Sequence, residues 1–225
     1  SSRTVSCQYG NWRVMTGLPI PPIDEELQTL QREVQRMLGR CLLRLQQYEQ
    51  LMKAIVAHHE ISASGSPFES NQAERIADAA SKTLGTLVGT LLGTYVTSGE
   101  QEDVAETDAP DNIISFKMKM SLRMSADDYD RTQNDLKELV LLRNNLVHHF
   151  IDQHDLWNLD GCRGAQESLV AAYSRVDQHF EQLRGWAEHM DQARRLAAEF
   201  ARSDAFRDLV INGIAPDGSV DWPAA

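Results

Sequence analysis

Basic residues are scarce in this sequence: 22 Lys and Arg stand against 33 Asp and Glu, giving a formal net charge of −11. Non-specific affinity for nucleic acid comes mainly from Lys and Arg side chains that neutralise phosphates. We therefore do not expect the chain to coat RNA or DNA. Any nucleic-acid chemistry needs a local basic pocket, a cleft shared by two copies, or another domain that recruits the substrate.

Cysteine and long apolar runs are scarce as well. Cys7, Cys41 and Cys162 are far apart, odd in number and match no paired zinc-binding spacing, so we expect free thiols in a reducing compartment. No segment approaches the roughly 20 apolar residues of a membrane-spanning helix. Residues 1–15 lack the apolar core of a secretory signal. These absences predict a cytoplasmic protein with no membrane association.

Motifs for cofactors and metals are missing too. The sequence has no Gly-rich dinucleotide or phosphate-binding loop, no nucleophile elbow and no His-Glu-x-x-His helix. His148, His149 and His154 do not follow a recognised metal-binding spacing. His58 and His59 come at the expected end of a helix, where cations interact favourably with the C-terminal dipole. We therefore predict neither a cofactor nor a metal.

Most of the chain has the apolar periodicity of helices. A long first helix is predicted over residues 24–60, with Arg44 as the one polar break in its apolar stripe. Further helices are predicted over 72–96, 126–149, 163–202 and 204–211, with Ser125 starting the third and Gly161 preceding the fourth.

Three glycines interrupt the second predicted helix. Gly85, Gly89 and Gly93 recur every four residues, so they share one helical face. Such a face permits the close approach of another helix. The alternative is a poorly formed C-terminal half, because each glycine weakens a helix by about 1 kcal/mol relative to alanine.

One segment has the period of a β-strand. Within 113–124, apolar residues alternate with Ser, Lys and Arg, which predicts a strand with one apolar and one basic face. A lone strand leaves its backbone groups unpaired, so it must pair with the segment around Tyr95 or across a dimer. Turns are predicted at 62–67 and in the acidic segment 98–111. The basic face of Lys117, Lys119 and Arg123 either contacts phosphate or pairs with that acidic segment.

Together these patterns predict an all-α fold that resembles a four-helix bundle, with long helices and one β-strand insertion near 113–124. We expect a disordered leader at 1–22, one helical domain at 23–212 and a linker at 213–225. Trp157, Trp186 and Trp222 are expected to be core or linker anchors.

The segment with the clearest chemical content is Arg143-Asn144-Asn145-Leu146-Val147-His148. Arg143 shares an apolar stripe with Leu136, Val140, Val147 and Phe150, where a permanent charge requires an explanation. Either the guanidinium forms a structural ion pair with an acid on a neighbouring helix, or it binds phosphate in a cleft. The sequence leaves both open.

His148 is the residue of this segment that can exchange a proton near neutral pH, as metal-independent RNA cleavage requires. Arg143 would stabilise the charge that develops on phosphorus. Asn144 precedes His148 by four residues, so its side chain can orient the imidazole or contact phosphate. In an ideal helix Arg143 and His148 lie roughly 140° apart, so they converge only if the helix is distorted, if Arg143 reaches round, or if a second subunit completes the site. His149 offers an alternative pairing with Arg143.

An Arg followed by a polar residue and, a few residues later, by a His, on a late helix of a helical bundle, resembles the signature of the HEPN superfamily. Its catalytic members are dimeric, metal-independent ribonucleases of toxin and defence systems, with the motifs of both protomers facing one cleft. The resemblance implies that Arg143, Asn144 and His148 are the active residues. Phe150 departs from an Arg-x4-His-x-Tyr pattern of toxin members, so modification of a tyrosine hydroxyl is not expected here.

A broader similarity runs from the Leu-Pro-Ile-Pro-Pro segment at 18–22 to the ending at 210–223. It links the chain to bacterial proteins in which a helical part precedes a C-terminal OST-HTH, or LOTUS, winged-helix domain. This similarity implies that a further domain recruits RNA. Two hypotheses follow: a dimeric ribonuclease or RNA-processing component of defence, and a catalytically silent helical dimerisation module that presents a winged helix.

Overall fold

The computed structural model describes residues 25–64, 68–99 and 115–212. These residues form an all-α protein, as predicted. The helices are α1 (Glu25–His58), α2 (Phe68–Ser81), α3 (Leu84–Thr94), α4 (Ala126–Asn144), α5 (Phe150–Gln153), α6 (Leu159–Ala201) and α7 (Asp204–Asn212), with a π-helical turn at Asn145–His149. The predicted leader at 1–22 and linker at 213–225, with Cys7 and Trp222, lie outside the described residues.

The two longest helices, α1 and α6, run side by side in the same direction. Near their starts Arg163 of α6 donates to Glu26 of α1 at 2.9 Å, and further along Arg44 Nε donates to Asp177 at 2.8 Å. Their buried faces form much of the core. The fully buried members on these two helices include Val34, Cys41, Tyr48, Met52, Ile55, Cys162, Ala165, Leu169 and Val176.

The polar break in the first helix is explained by this packing. The Arg44 guanidinium carbon lies 3.7 Å from the centre of the Phe180 ring, and its nitrogens bind Asp177 and, at 3.3 Å, Glu181. A planar cation can stack on an aromatic face while its edge binds carboxylates. Arg44 therefore joins α1 to α6.

The prediction of a single helix over 72–96 was wrong. The chain breaks at Lys82 and Thr83, and Thr83 caps α3 by accepting a hydrogen bond from Thr86 N at 3.5 Å. A threonine side chain that satisfies a helix N–H favours a new start over continuation. The predicted glycine seam is wrong too, because Gly85, Gly89 and Gly93 are exposed.

The prediction of a two-residue alternation was right, and the prediction of a single strand was wrong. In the described part of the chain, the predicted insertion is two strands, β3 (Ser115–Lys119) and β4 (Leu122–Met124). β3 pairs antiparallel with β1 (Glu60–Ser64), so part of the predicted turn at 62–67 is strand. β4 pairs parallel with β2 (Val96–Ser98), beside Tyr95 as expected. The acidic segment and the Lys117 side chain lie outside what is described.

The remaining helix boundaries follow capping residues. Ser125 caps α4 as predicted, accepting from Asp128 N at 3.2 Å. α6 begins earlier than predicted, at Leu159, because Asn158 accepts a hydrogen bond from Gly161 N at 2.7 Å. Gly161 therefore lies in the first turn of α6, whereas we predicted that it precedes this helix. No helix in the described ranges is long and apolar enough to cross a membrane.

Candidate functional site

The Arg143–His148 segment contains the distortion that its spacing requires. α4 ends at Asn144, and the next five residues, Asn145–His149, form a π-helical turn before α5 begins. A π turn is closed by hydrogen bonds between residues five apart, whereas an α-helix joins residues four apart. Arg143 and His148 are five apart, so the π turn brings them to the same side.

The side chains of Arg143 and His148 are in contact. Arg143 Nη1 donates to His148 Nε2 at 3.4 Å and to Asn144 Oδ1 at 3.1 Å. The guanidinium has donors only, so His148 Nε2 is the acceptor in this contact. Asn144 therefore orients the guanidinium, while the imidazole contact that we considered for Asn144 is not formed.

Arg143 has no acidic partner among the residues that the structure describes. Its hydrogen bonds go to Asn144 and His148. The side chain is half-buried and His148 is exposed. The structural ion pair that we considered for Arg143 is therefore absent, and Arg143 Nε and Nη2 make no hydrogen bond within the described chain.

His149 occupies a different environment. Its ring meets His148 edge to face, with centroids 6.3 Å apart, and its Nδ1 lies 4.0 Å from Asp152 Oδ2. Arg143 contacts His148 and not His149. Phe150 is buried, with its ring 4.8 Å from the ring of His154.

The buried face of this segment differs from the predicted apolar stripe. Leu136 and Phe150 are buried as that stripe requires, but Val147 of the same stripe is 44% exposed. Leu139 and Leu146, seven residues apart, are buried instead. Leu139 lies before the π turn, so the predicted stripe was already one residue away from the buried face at Val140.

A groove passes Arg143. It has a volume of about 1110 Å³, and Arg143 and Val147 form part of its wall together with α1 residues from Leu42 to Ala54. A smaller depression of about 210 Å³ shares Leu42 and Val147 with the groove and includes His148. Because the two depressions share lining residues, the two members of the pair lie on adjoining concave surfaces.

The histidines at the end of α1 are structural. His58 Nδ1 lies 2.6 Å from Gln72 Nε2, and His59 is buried with its Nδ1 2.8 Å from the Val56 carbonyl oxygen. Burial lowers the pKa of both, and for His58 Arg194 adds to the effect. Low pKa values weaken the expectation that both act as helix-terminal cations.

Sequence reasoning misjudged Trp157. Trp186 is buried, as expected of a core anchor, and its carbonyl accepts a hydrogen bond from Tyr95 Oη at 3.1 Å. Trp157 is 85% exposed. The available signal was its place after Asp155 in a short polar connection between helices, where a side chain has few neighbours.

Cys41 and Cys162 line neither depression of the candidate site. Both are buried free thiols whose pKa values are raised by burial. Over the described ranges, no three His, Cys, Asp or Glu residues are grouped so that they hold a metal ion. The charged side chains that line the groove are Glu49, Arg143 and Arg184, and His148 lines the smaller depression.

Comparisons with family models, with curated proteins and with solved structures gave no match. Any assignment of function therefore depends on the chemistry that Arg143, Asn144 and His148 can perform.

Proposed function

We propose that the chain is a metal-independent endoribonuclease of the HEPN type, acting through Arg143 and His148 at a cleft between two copies. The observation that carries this proposal is the 3.4 Å contact between Arg143 Nη1 and His148 Nε2 on an exposed π turn. π turns inside α-helices occur frequently at functional sites. A guanidinium that has no carboxylate partner among the described residues, beside an imidazole, is a pairing suited to phosphate chemistry.

The reaction would use the substrate's own ribose as the nucleophile. His148 Nε2 releases its contact with Arg143 Nη1 and accepts the proton of the 2′-hydroxyl, and the 2′-oxygen attacks the adjacent phosphorus. The bond between phosphorus and the 5′-oxygen breaks, giving a 2′,3′-cyclic phosphate and a 5′-hydroxyl. The leaving oxygen takes its proton from the other protomer's imidazolium or from water. Arg143 Nε and Nη2 stabilise the negative charge on the phosphoryl oxygens.

Exposed apolar residues beside the pair support the homodimer in this proposal. Leu43, Val147 and Ile151 are all exposed, and they line the two depressions that contain Arg143 and His148. An exposed apolar surface of this kind marks a contact site. A two-fold axis through it would bring two Arg143–His148 pairs into one cleft.

The net charge favours a second candidate. A chain with a formal charge of −11 repels RNA, as expected of a silent dimerisation module that presents an OST-HTH winged helix. In the ribonuclease proposal the same charge limits the chain itself to local contacts with RNA at its site, and such a domain captures the rest of the RNA. A HEPN-like bundle, a cytoplasmic location and a role in defence belong to the proposal as well.

The test is cleavage of a mixed single-stranded RNA pool in EDTA by the wild type, Arg143→Ala and His148→Ala. His149→Ala is the matched control, because His149 is adjacent but contacts Asp152 instead of Arg143. We expect each variant of the pair to lose roughly 100-fold or more in rate, with His149→Ala close to wild type. Circular dichroism checks that every variant is folded.

Two results would contradict the ribonuclease proposal. One is a wild type that leaves RNA intact even when joined to an RNA-binding domain. The other is cleavage that persists in both Arg143→Ala and His148→Ala, which would identify a contaminating nuclease. Either result favours the dimerisation module.

A further inference from the structure

Trp157 is displayed to solvent next to the candidate site. It is 85% exposed, in the connection between α5 and α6. Tryptophan is a large apolar side chain that proteins normally bury for most of its surface. We therefore expect a tryptophan with so large an exposed fraction to contact a ligand.

The backbone that carries Trp157 is held at several points. Asp155 Oδ1 accepts from Trp157 N at 3.0 Å, and Asp155 Oδ2 accepts from Asn158 Nδ2 at 2.5 Å. The Leu156 carbonyl accepts from Gln31 Nε2 of α1 at 2.8 Å. A fixed loop loses little conformational entropy when a ligand binds, so the indole is ready to form a contact.

The surroundings of Trp157 connect it to the Arg143–His148 pair. Trp157 and Ile151 line one depression of about 590 Å³, and Ile151 also lines the depression that includes His148. Ile151 is itself 77% exposed. The depression that includes His148 and the depression that includes Trp157 therefore adjoin at Ile151.

Charges divide this surface into two parts. Arg143 lines the groove on the side of the π turn, whereas Asp152, His154 and Asp155 line the depression that contains Trp157. Carboxylates repel phosphate but accept hydrogen bonds from the amino groups of nucleobases. The end with Trp157 is thus suited to a base, and the end with Arg143 to the phosphate.

We propose that Trp157 is a stacking platform for a nucleobase of single-stranded RNA that flanks the scissile phosphate. This inference rests on the proposed function, and it adds a specificity-determining residue to that site. Flat aromatic faces bind bases of any identity by stacking. Asp152 and Asp155 add a preference for bases with an exocyclic amino group, such as cytosine, over uracil. A protein partner fits less well, because interface cores are depleted in charge and Asp152 and Asp155 line the same depression as the indole.

The test uses fluorescein-labelled 2′-O-methyl octamers of cytidine and of uridine, which cannot be cleaved because the 2′-hydroxyl is blocked. Fluorescence anisotropy gives Kd at low salt for wild type, Trp157→Ala and Trp157→Phe. Val170→Ala is the control, since Val170 is an exposed apolar residue of α6 away from this depression. Light scattering of the same samples gives their mass.

We expect Trp157→Ala to weaken binding of the cytidine octamer about tenfold. Trp157→Phe should retain most of the affinity because it keeps an aromatic face, and Val170→Ala should match wild type. The wild type should bind cytidine more tightly than uridine. All four proteins should have the same mass.

Three outcomes would overturn the inference: no binding by the wild type, equal Kd for wild type and Trp157→Ala, or a lower mass for Trp157→Ala. The last would identify the indole as a protein contact. RNA left intact by a wild type that binds octamers through Trp157 would remove the proposed cleavage and leave this base site standing. Cleavage with a KM unaffected by Trp157→Ala would remove the base site alone.

Discussion

Gly161 is a single residue on which the start of α6 depends. A Cβ placed on Gly161 would lie 1.8 Å from the carbonyl oxygen of Asp155, closer than any real contact. The same turn contains the Asn158 cap and leads into the buried Cys162. The glycine is required here by close packing of the backbone, and its φ is not in the left-handed region.

We predict that Gly161→Ala destabilises the fold by about 1–3 kcal/mol, because either the backbone or the cap must move. Gly164→Ala is the matched control: Gly164 is in the same helix, and a Cβ there meets nothing within 4 Å. The control should be neutral or more stable by up to about 1 kcal/mol. Urea unfolding followed by circular dichroism measures both, and an equal effect would refute the packing argument.

At the same scale, the sequence identified the residues of the candidate site but not their arrangement. The residue types of Arg143, Asn144 and His148 are sufficient to suggest phosphate chemistry. Arg143 and His148 converge because of the π turn, and no short sequence pattern that we recognise predicts the extra residue of that turn. The sequence did not predict the exposure of Trp157, because burial depends on tertiary structure and the residue type alone favours the core for tryptophan.

At the scale of elements, α3 presents a face of glycines to solvent. Gly89 and Gly93 are exposed, and a Cβ on either meets nothing within 4 Å. Gly85 would have only an ordinary contact, 3.7 Å from Val140 Cγ1. At Gly89 and Gly93, α3 therefore lacks side chains without gaining a packed neighbour among the described residues.

We predict that Gly89→Ala and Gly93→Ala each stabilise the protein by about 0.5–1 kcal/mol, since alanine loses less backbone entropy than glycine in a helix. Thermal and urea unfolding of the single variants and of the double variant provide the measurement. A close-packed glycine seam would give the opposite sign, so destabilisation of the double variant would restore that interpretation.

Elements were predictable from the sequence where local signals were strong. The period of the first helix and the Ser125 cap gave correct elements, because apolar burial and capping act within a few residues. The break at Thr83 and the division of 115–124 into two strands depend on partners elsewhere. Met120 N donates to the His59 carbonyl at 2.8 Å and Leu122 N to the Tyr95 carbonyl at 2.7 Å, which no local pattern specifies.

At the scale of the whole molecule, three histidines couple the fold to pH. Burial lowers the pKa of His58, His59 and His179 below the ordinary value of 6.5. The unfolded chain therefore binds more protons than the native state in acid. Stability is fully present above about pH 6.5 and is lost as pH falls towards the native pKa values.

We predict that the free energy of unfolding falls between about pH 7.5 and about pH 5.5. His179→Gln should make this decrease shallower, because it removes one buried histidine whose ring packs against Tyr48. His189→Gln, at an exposed position of α6, is the control. Urea titrations at several pH values measure the slope, and identical slopes for all three proteins would rule out His179 as a contributor.

The parallel packing of α1 and α6 has a consequence during synthesis on the ribosome. Residues that join the two helices are separated by 128 to 137 positions in the chain. At 5–20 residues per second, the apolar stripe of α1 waits roughly 7 to 27 seconds for its partner. α2 and α3, which also pack against α1, emerge first. The nascent chain is therefore most prone to aggregate after α1 has formed and before α6 has been synthesised. Variants that weaken α2 or α3 should lower the yield of soluble protein by more than their effect on the free energy of unfolding accounts for.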